Sequence, residues 1–203
     1  MRIEFFFDLT SPWTYLAFTG IQPLAQRYAA DIEWRPILVG GVFNAVNQEL
    51  YAKREAAFGN ERQLKHMLKD LEDWARLRGI VLNWPDFHPA NAVKCMRGCF
   101  VAEDQGKLLP YSQAVFEAYW GRCEDVGDDA VLAAIAEAQG MDAPAFLEAI
   151  QQQPIKDRLR ANTDELIDRG GFGSPTLFLN GDDMYFGNDR LPLVEAALAR
   201  AAG

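Results

Sequence analysis

Ile3-Glu4-Phe5-Phe6-Phe7-Asp8-Leu9-Thr10-Ser11-Pro12-Trp13-Thr14 sets an apolar run directly before a helix start. Ile3 to Phe7 is aromatic and aliphatic enough to predict a buried strand. Ser11-Pro12 then predicts a helix, since Ser is a favoured N-cap and Pro suits the first helical position. The helix continues through Tyr15, Leu16, Ile21, Leu24 and Tyr28, and Ile32 to Leu38 reads as a second strand. Strand, helix and strand within about 40 residues imply parallel pairing through a right-handed crossover.

Outward from that unit, the C-terminal stretch is again mixed. Pro154 opens a helix that ends near Gly170-Gly171, and Thr176 to Leu179 reads as a strand. Asn180-Gly181 is a strong hairpin-turn signal, with Met184 to Phe186 as the returning strand. A last helix starts near Asp189-Arg190 and runs through Leu191, Val194, Ala197 and Leu198. The middle reads as helical, over about 61–78, 92–105, 111–122, 129–139 and 143–152. In the first of these, Leu64, Leu68, Leu71 and Trp74 fall at helical spacing, and Glu61 stands four residues before Lys65. Asp128 and Asp142 are expected caps, Gly106 and Gly140 expected stops. The outer pieces read β-α-β and then α-β-β-α, the element order of a thioredoxin fold. The expected class is therefore α/β. Residues 1–43 plus 154–203 form a thioredoxin-like domain, and 44–153 form an inserted helical domain of the kind disulfide oxidoreductases of the DsbA type carry.

With 203 residues, 49% of them hydrophobic, the chain can bury a substantial core. Asp and Glu (29) outnumber Lys and Arg (20), and the net charge of −9 argues against a nucleic-acid surface. No stretch approaches the roughly 20 apolar residues of a membrane span. The N-terminus lacks the zones of a signal peptide, so a cytoplasmic setting is expected. Cys95, Cys99 and Cys123 show no Cys-x-x-Cys spacing, which fits a reducing compartment. Cys95 and Cys99, one helical turn apart, read as packing residues. His66 and His88 stand in different contexts, so no metal is expected; His88, between Phe87 and Pro89 in a loop, reads as a solvated residue, with contact to a substrate as the alternative.

Thioredoxin-fold enzymes carry Cys-x-x-Cys at the start of the first helix, where the dipole and free N–H groups stabilise a thiolate. Here that place holds Ser11-Pro12-Trp13-Thr14. Two hydroxyls cannot form a disulfide, so thiol–disulfide exchange by this motif is excluded. What remains is an anion-binding helix end with a hydroxyl donor, and the thiol must arrive with a cofactor. Gly173-Ser174-Pro175-Thr176 precedes the third strand. A cis Pro175 there turns the Ser174 backbone N–H and C=O towards a peptide-like ligand. In Phe186-Gly187-Asn188-Asp189-Arg190-Leu191, Asp189 suits an α-ammonium and the helix start suits a carboxylate. Singly, these motifs are also plain helix caps. Together they outline a glutathione pocket.

The same motifs resemble the 2-hydroxychromene-2-carboxylate isomerases and the related kappa-class glutathione transferases, over essentially the full chain. The resemblance rests on Phe7-Asp8-x-x-Ser11-Pro12-Trp13-Thr14-Tyr15-Leu16-Ala17, Arg35-Pro36 with Gly41-Val42-Phe43, Asp73-Trp74-Ala75-Arg76-Leu77, and Pro175-Thr176 with Gly187-Asn188-Asp189-Arg190-Leu191. It implies glutathione as cofactor, with Ser11 contacting the sulfur and Ser174, Pro175, Phe186, Gly187, Asn188 and Asp189 holding the rest. It implies a small aromatic substrate met by Trp13, Asn44, Asn47 and Asn91. Phe43 is a further cleft candidate; Trp120 is another, more readily explained as core. Two departures stand out. Ser174 occupies a position where Val is usual and contact is through backbone. Asn44 and Asn47-Gln48 stand where the family often has a lysine and then Gly-Asn. Relatives usually pair, so a homodimer is expected. The leading expectation is an isomerase acting by reversible thiolate addition to an unsaturated aromatic keto acid. A kappa-type transferase and a non-catalytic thioredoxin-like binding module are the alternatives.

Overall fold

β1 (Arg2–Phe7) lies inside a four-stranded sheet of order β2-β1-β3-β4. The computed structural model describes residues 1–46, 49 and 60–202. β1 pairs in parallel with β2 (Asp31–Pro36), with Phe5 opposite Trp34. On its other side it runs antiparallel to β3 (Thr176–Leu179), with Phe5 opposite Leu177. β3 turns through Asn180 and Gly181, both at positive φ, into antiparallel β4 (Asp183–Phe186). A strand covered on both faces needs an unbroken apolar run, which Phe5-Phe6-Phe7 supplies. Side chains alternate across the sheet. Phe5 and Phe7 join the main core, whereas Phe6 packs with Ile37, Val42, Leu166 and Phe178 on the opposite face.

α1 (Pro12–Arg27) forms the expected crossover between β1 and β2. β2 stops at Pro36, short of the expected Leu38, and a short α2 (Val39–Val46) follows. The helical block comprises α3 (Glu61–Arg78), α4 (Val93–Asp104), α5 (Leu108–Phe116), α6 (Asp129–Ala138) and α7 (Ala143–Ala149). Asp128 and Asp142 cap α6 and α7 by accepting from the Ala130 and Ala145 N–H groups at 2.6 and 2.8 Å. Gly106 and Gly140 take left-handed φ values just past their helices, as expected of stops. The expected helix over 111–122 begins earlier, at Leu108, and widens into a π-helical turn over Glu117–Gly121. α8 (Gln153–Asp168) leads back to the sheet, and α9 (Leu191–Ala202) closes the chain after a 3₁₀ turn at Asn188–Arg190. This is the thioredoxin-like sheet with helices inserted between β2 and β3. Among the described residues, no helix is long and apolar enough to cross a membrane.

Candidate active site

Ser11 sits in extended backbone at the N-cap of α1 (φ −100°, ψ 122°). Its hydroxyl oxygen accepts the Thr14 N–H at 3.3 Å, and its carbonyl accepts the Tyr15 N–H at 3.2 Å. Pro12 has no N–H to place. The Trp13 N–H therefore remains as the amide of this first turn with no partner among the described residues. An open amide at a helix N-terminus favours an anion. The Ser11 hydroxyl donates to the Ser174 carbonyl at 3.4 Å, a bond long enough to yield its proton to a better acceptor. The Ser174–Pro175 peptide is cis, as the sequence predicts. The Ser174 N–H makes no hydrogen bond among the described residues.

Behind this front lies a layer that sequence reasoning missed. The Ser174 hydroxyl accepts the Asp8 N–H at 2.9 Å and bonds the Thr14 hydroxyl at 2.7 Å. The side chain that stands in for the usual Val is thus tied to the one that stands in for the second cysteine. Asp8 is wholly buried, and burial pushes its carboxyl above the usual range. It accepts the Thr10 N–H (2.8 Å), the Thr10 hydroxyl (2.7 Å) and the Val39 N–H (2.9 Å). One carboxyl so fixes both the β1–α1 loop and the start of α2. Trp120, fully buried, donates from Nε1 to the Leu9 carbonyl at 3.2 Å. It belongs to the core and supports the loop rather than lining a cleft.

Ser11 opens onto a cavity of about 510 Å³. Its walls are largely apolar: Trp13, Phe43, Met67, Trp84, Phe172 and Phe186 line it, with Ser11, Ser174, Gln63 and His88 among the polar groups. Phe172 and Phe186, with ring centroids 4.5 Å apart and both about two-fifths exposed, are placed as its rim. His88 corrects an expectation. Rather than a solvated loop residue, it is a part-buried wall residue, with Nδ1 2.7 Å from the Tyr119 hydroxyl and its ring 4.8 Å from that of Trp84. Its aromatic neighbours lie at positions 84, 119 and 120, a grouping no local spacing announces. Cys95 and Cys99 are buried in the core, and burial pushes both thiols up, so neither is a nucleophile. No group of side chains able to hold a metal ion occurs among the described residues.

The fold brings Ser11, Trp13, Ser174 and Phe186 to this one cavity. Gly187 adjoins it, with φ +103° and its N–H donated to the Pro175 carbonyl at 3.0 Å. Asn188 is 1% exposed, and neither atom of its amide has a partner among the described residues. Asp189 lies outside the lining and pairs with Arg190 at 2.6 Å. Asn91 also lies outside it: its side chain accepts the N–H of Val93, the first residue of α4, at 3.1 Å. Asn44 is exposed on α2 beside the lining residue Phe43, and Asn47 falls outside the described residues. The open Trp13 amide, the Ser11 hydroxyl and the open Ser174 N–H are what a thiol peptide requires. They offer donors for a sulfur anion and a polar edge for a peptide backbone. The residues present fit glutathione.

Fold and helix-end site together define the class: residues 2–199 match the family model of the DSBA-like thioredoxin domain. The chain is 32% identical to 2-hydroxychromene-2-carboxylate isomerase of Pseudomonas putida, covering 98% of this chain and 95% of that protein. A solved 2-hydroxychromene-2-carboxylate isomerase, 30% identical, superposes with a TM-score of 0.83 over 99% of this chain and 96% of the other. Glutathione S-transferase kappa 1 of Caenorhabditis elegans is 25% identical over 95% of this chain and 88% of its own length. The chain belongs to the 2-hydroxychromene-2-carboxylate isomerase family within the DSBA-like thioredoxin domains. It is an enzyme of isomerase or transferase type.

Proposed function

We propose that the protein is a glutathione-dependent isomerase of the 2-hydroxychromene-2-carboxylate type, acting on an unsaturated aromatic keto acid. The observation that carries this is the Ser11 hydroxyl, held at the start of α1 and turned across to the carbonyl that precedes cis Pro175. Bound glutathione supplies the sulfur nucleophile that adds to, and later leaves, a conjugated carbon, so that a double bond is briefly single and free to rotate. The chain's part is electrostatic and steric. Thr14 N–H occupies a lone pair of the Ser11 oxygen and leaves its proton to face an anion. A helix N-terminus is worth about 0.3–1 kcal/mol to a nearby anion. A hydrogen bond to a charged group adds about 1.5–3 kcal/mol. At about 1.4 kcal/mol per unit, the two account for lowering a thiol from about 8.5 by between one and three units. Ser174 offers its N–H and carbonyl to the peptide backbone, while Trp13, Phe43, Phe172 and Phe186 take the aromatic ring and exclude water. The same proposal takes residues 44–153 as an inserted helical domain, the setting as cytoplasmic and the working form as a homodimer, all on the family's pattern.

Calorimetric titration of glutathione into wild type and Ser11→Ala tests the site. Wild type binds saturably, and in the variant the thiol pKa of bound glutathione rises by about one to two units. An unchanged thiol pKa overturns the role of Ser11. Product analysis separates the two enzyme classes. Glutathione returned undiminished marks an isomerase, and its stoichiometric consumption marks a kappa-type transferase.

A further inference from the structure

Among the described residues, two hydrogen bonds tie the first turn of α1 to the loop before β3. The Ser11 hydroxyl donates to the Ser174 carbonyl at 3.4 Å, and the Thr14 hydroxyl bonds that of Ser174 at 2.7 Å. The two are unequal. The first is long and joins two residues of the cavity lining. The second is short and set back, between a wholly buried Thr14 and a Ser174 that is 8% exposed. A buried hydroxyl proton needs an acceptor. Ser174 Oγ is the one in reach of Thr14, so Thr14 donates. The same oxygen accepts the Asp8 N–H at 2.9 Å, and the Asp8 carbonyl accepts the Ser11 N–H at 3.2 Å. With the Thr14 N–H on the Ser11 oxygen at 3.3 Å, four residues close a ring of bonds around the start of α1.

One bond of the ring does not survive the binding of a thiolate. The Ser11 hydroxyl has a single proton, and when it turns to a sulfur anion it leaves the Ser174 carbonyl. The loop that carries the peptide edge then keeps one direct tie to the first turn of α1, the Thr14 hydroxyl on Ser174 Oγ. This tie belongs to the present chain: Val, usual at position 174 in the family, could accept from neither Thr14 nor Asp8. A shift of about 1 Å at a reacting centre can cost about a hundredfold in rate, so the relative placement of sulfur donor and peptide edge matters. We infer that Thr14 and Ser174 are positioning residues, whose hydroxyl pair keeps the Ser11 donor and the Ser174 peptide edge in register on the bound cofactor. The inference rests on the glutathione reading above.

The test is the thiol pKa of bound glutathione, read from the ultraviolet absorbance of the thiolate as pH is raised, with urea unfolding of each variant alongside. Thr14→Val keeps nearly the same shape without the hydroxyl and is expected to raise that pKa by about half a unit to one unit, the value of one neutral hydrogen bond. Thr14→Ser restores the hydroxyl and the wild-type value. Ser174→Ala raises the pKa at least as far as Thr14→Val, and the double variant goes no further than Ser174→Ala alone, because both changes break the same bond. Should Ser174→Ala fold poorly, Thr14→Val and its rescue by Thr14→Ser decide the matter. A Thr14→Val that lowers the unfolding midpoint but leaves the thiol pKa unchanged assigns the pair to stability and overturns the proposal. So does a shift that Thr14→Ser fails to reverse. Ser11→Ala separates this failure from that of the glutathione reading. If Ser11→Ala raises the pKa and Thr14→Val does not, the proposal alone falls. If neither raises it, or wild type binds no glutathione, both fall.

Discussion

Asp8 shows how much one buried group fixes at this site. Its carboxyl accepts three donors, from Thr10 twice and from Val39. Burial nevertheless raises its pKa above the ordinary value. The sign follows from linkage: the folded state then binds the proton more tightly than the unfolded state. This component of stability is greatest in acid and falls as pH climbs from about 4 through the raised pKa. Asp8→Asn removes that fall. It also turns an N–H of the amide towards the Val39 N–H, leaving a buried donor without an acceptor, at about 1–3 kcal/mol. Urea unfolding of both proteins from pH 4 to 7.5 is expected to show the variant less stable throughout, with the gap widest at the acid end. A gap independent of pH would show that Asp8 does not titrate in the folded protein. The motif Phe7-Asp8-x-x-Ser11-Pro12 is legible in the sequence, but the role of Asp8 is not, because its partner Val39 lies a full crossover away.

At the scale of the elements, the helical block depends on close contact between α4 and α5. Gly98 makes that contact possible: a Cβ there would lie 2.1 Å from the Tyr111 hydroxyl and 2.6 Å from Cζ of Phe146. Tyr111 donates that hydroxyl to the Cys95 carbonyl at 3.0 Å. Gly98→Ala forces these rings apart in a core with no slack. It is expected to cost about 1–3 kcal/mol, with a lower midpoint in thermal unfolding. Gly121→Ala, where nothing lies within 4 Å of the added atom, is the steric control. Helix positions in this block follow from periodicity, Asp caps and Gly stops, all of which are local. The π-helical turn at Glu117–Gly121 does not, because no residue pattern in that stretch departs from helical spacing. That turn carries Tyr119 and Trp120, both fully buried. One holds His88 and the other the β1–α1 loop.

For the molecule as a whole, the face of the sheet away from α1 is closed by charges rather than by a second large core. Arg169 reaches Glu4 through both guanidinium ends at 3.0 Å and lies 3.8 Å over the Phe178 ring. Glu165 binds Arg169 and Arg35, and Glu33 binds Arg35 and Arg2, which extends the network across β1 and β2. Burial pushes the Glu4 carboxyl up, but the bond and charge of Arg169, with Arg2 and Arg35, bring it below its ordinary value. The sign is opposite to that of Asp8: this contribution is present above the unfolded pKa and is lost as pH falls through the folded one. Glu4→Ala leaves Arg169 with Glu165 and Phe178, so the cost is expected near the lower end of about 3–5 kcal/mol at neutral pH. The same unfolding measurement should show that cost shrinking below about pH 4, as the wild-type carboxyl takes up its proton. A cost unchanged by acid would assign it to packing alone.

The sequence by itself determined the order of the elements apart from α2, the crossover, the caps and stops, and the replacement of a redox pair by Ser11 and Thr14. These signals are local. An apolar run, a Ser-Pro step or an Asn-Gly pair acts through the backbone within a few residues. Only the tertiary structure decided what faces what. Ser11 and Ser174 are 163 residues apart, and the cavity forms because β3 pairs antiparallel with β1 and brings the cis Pro175 loop to the start of α1. The same closure buries Asp8, turns the Ser174 hydroxyl to Thr14 and sets His88 in a cavity wall, while Asn91 bonds the Val93 N–H and Asp189 stays outside the lining. Periodicity states which face of an element is buried. It does not state which distant element covers that face, and it is the covering element that makes the site.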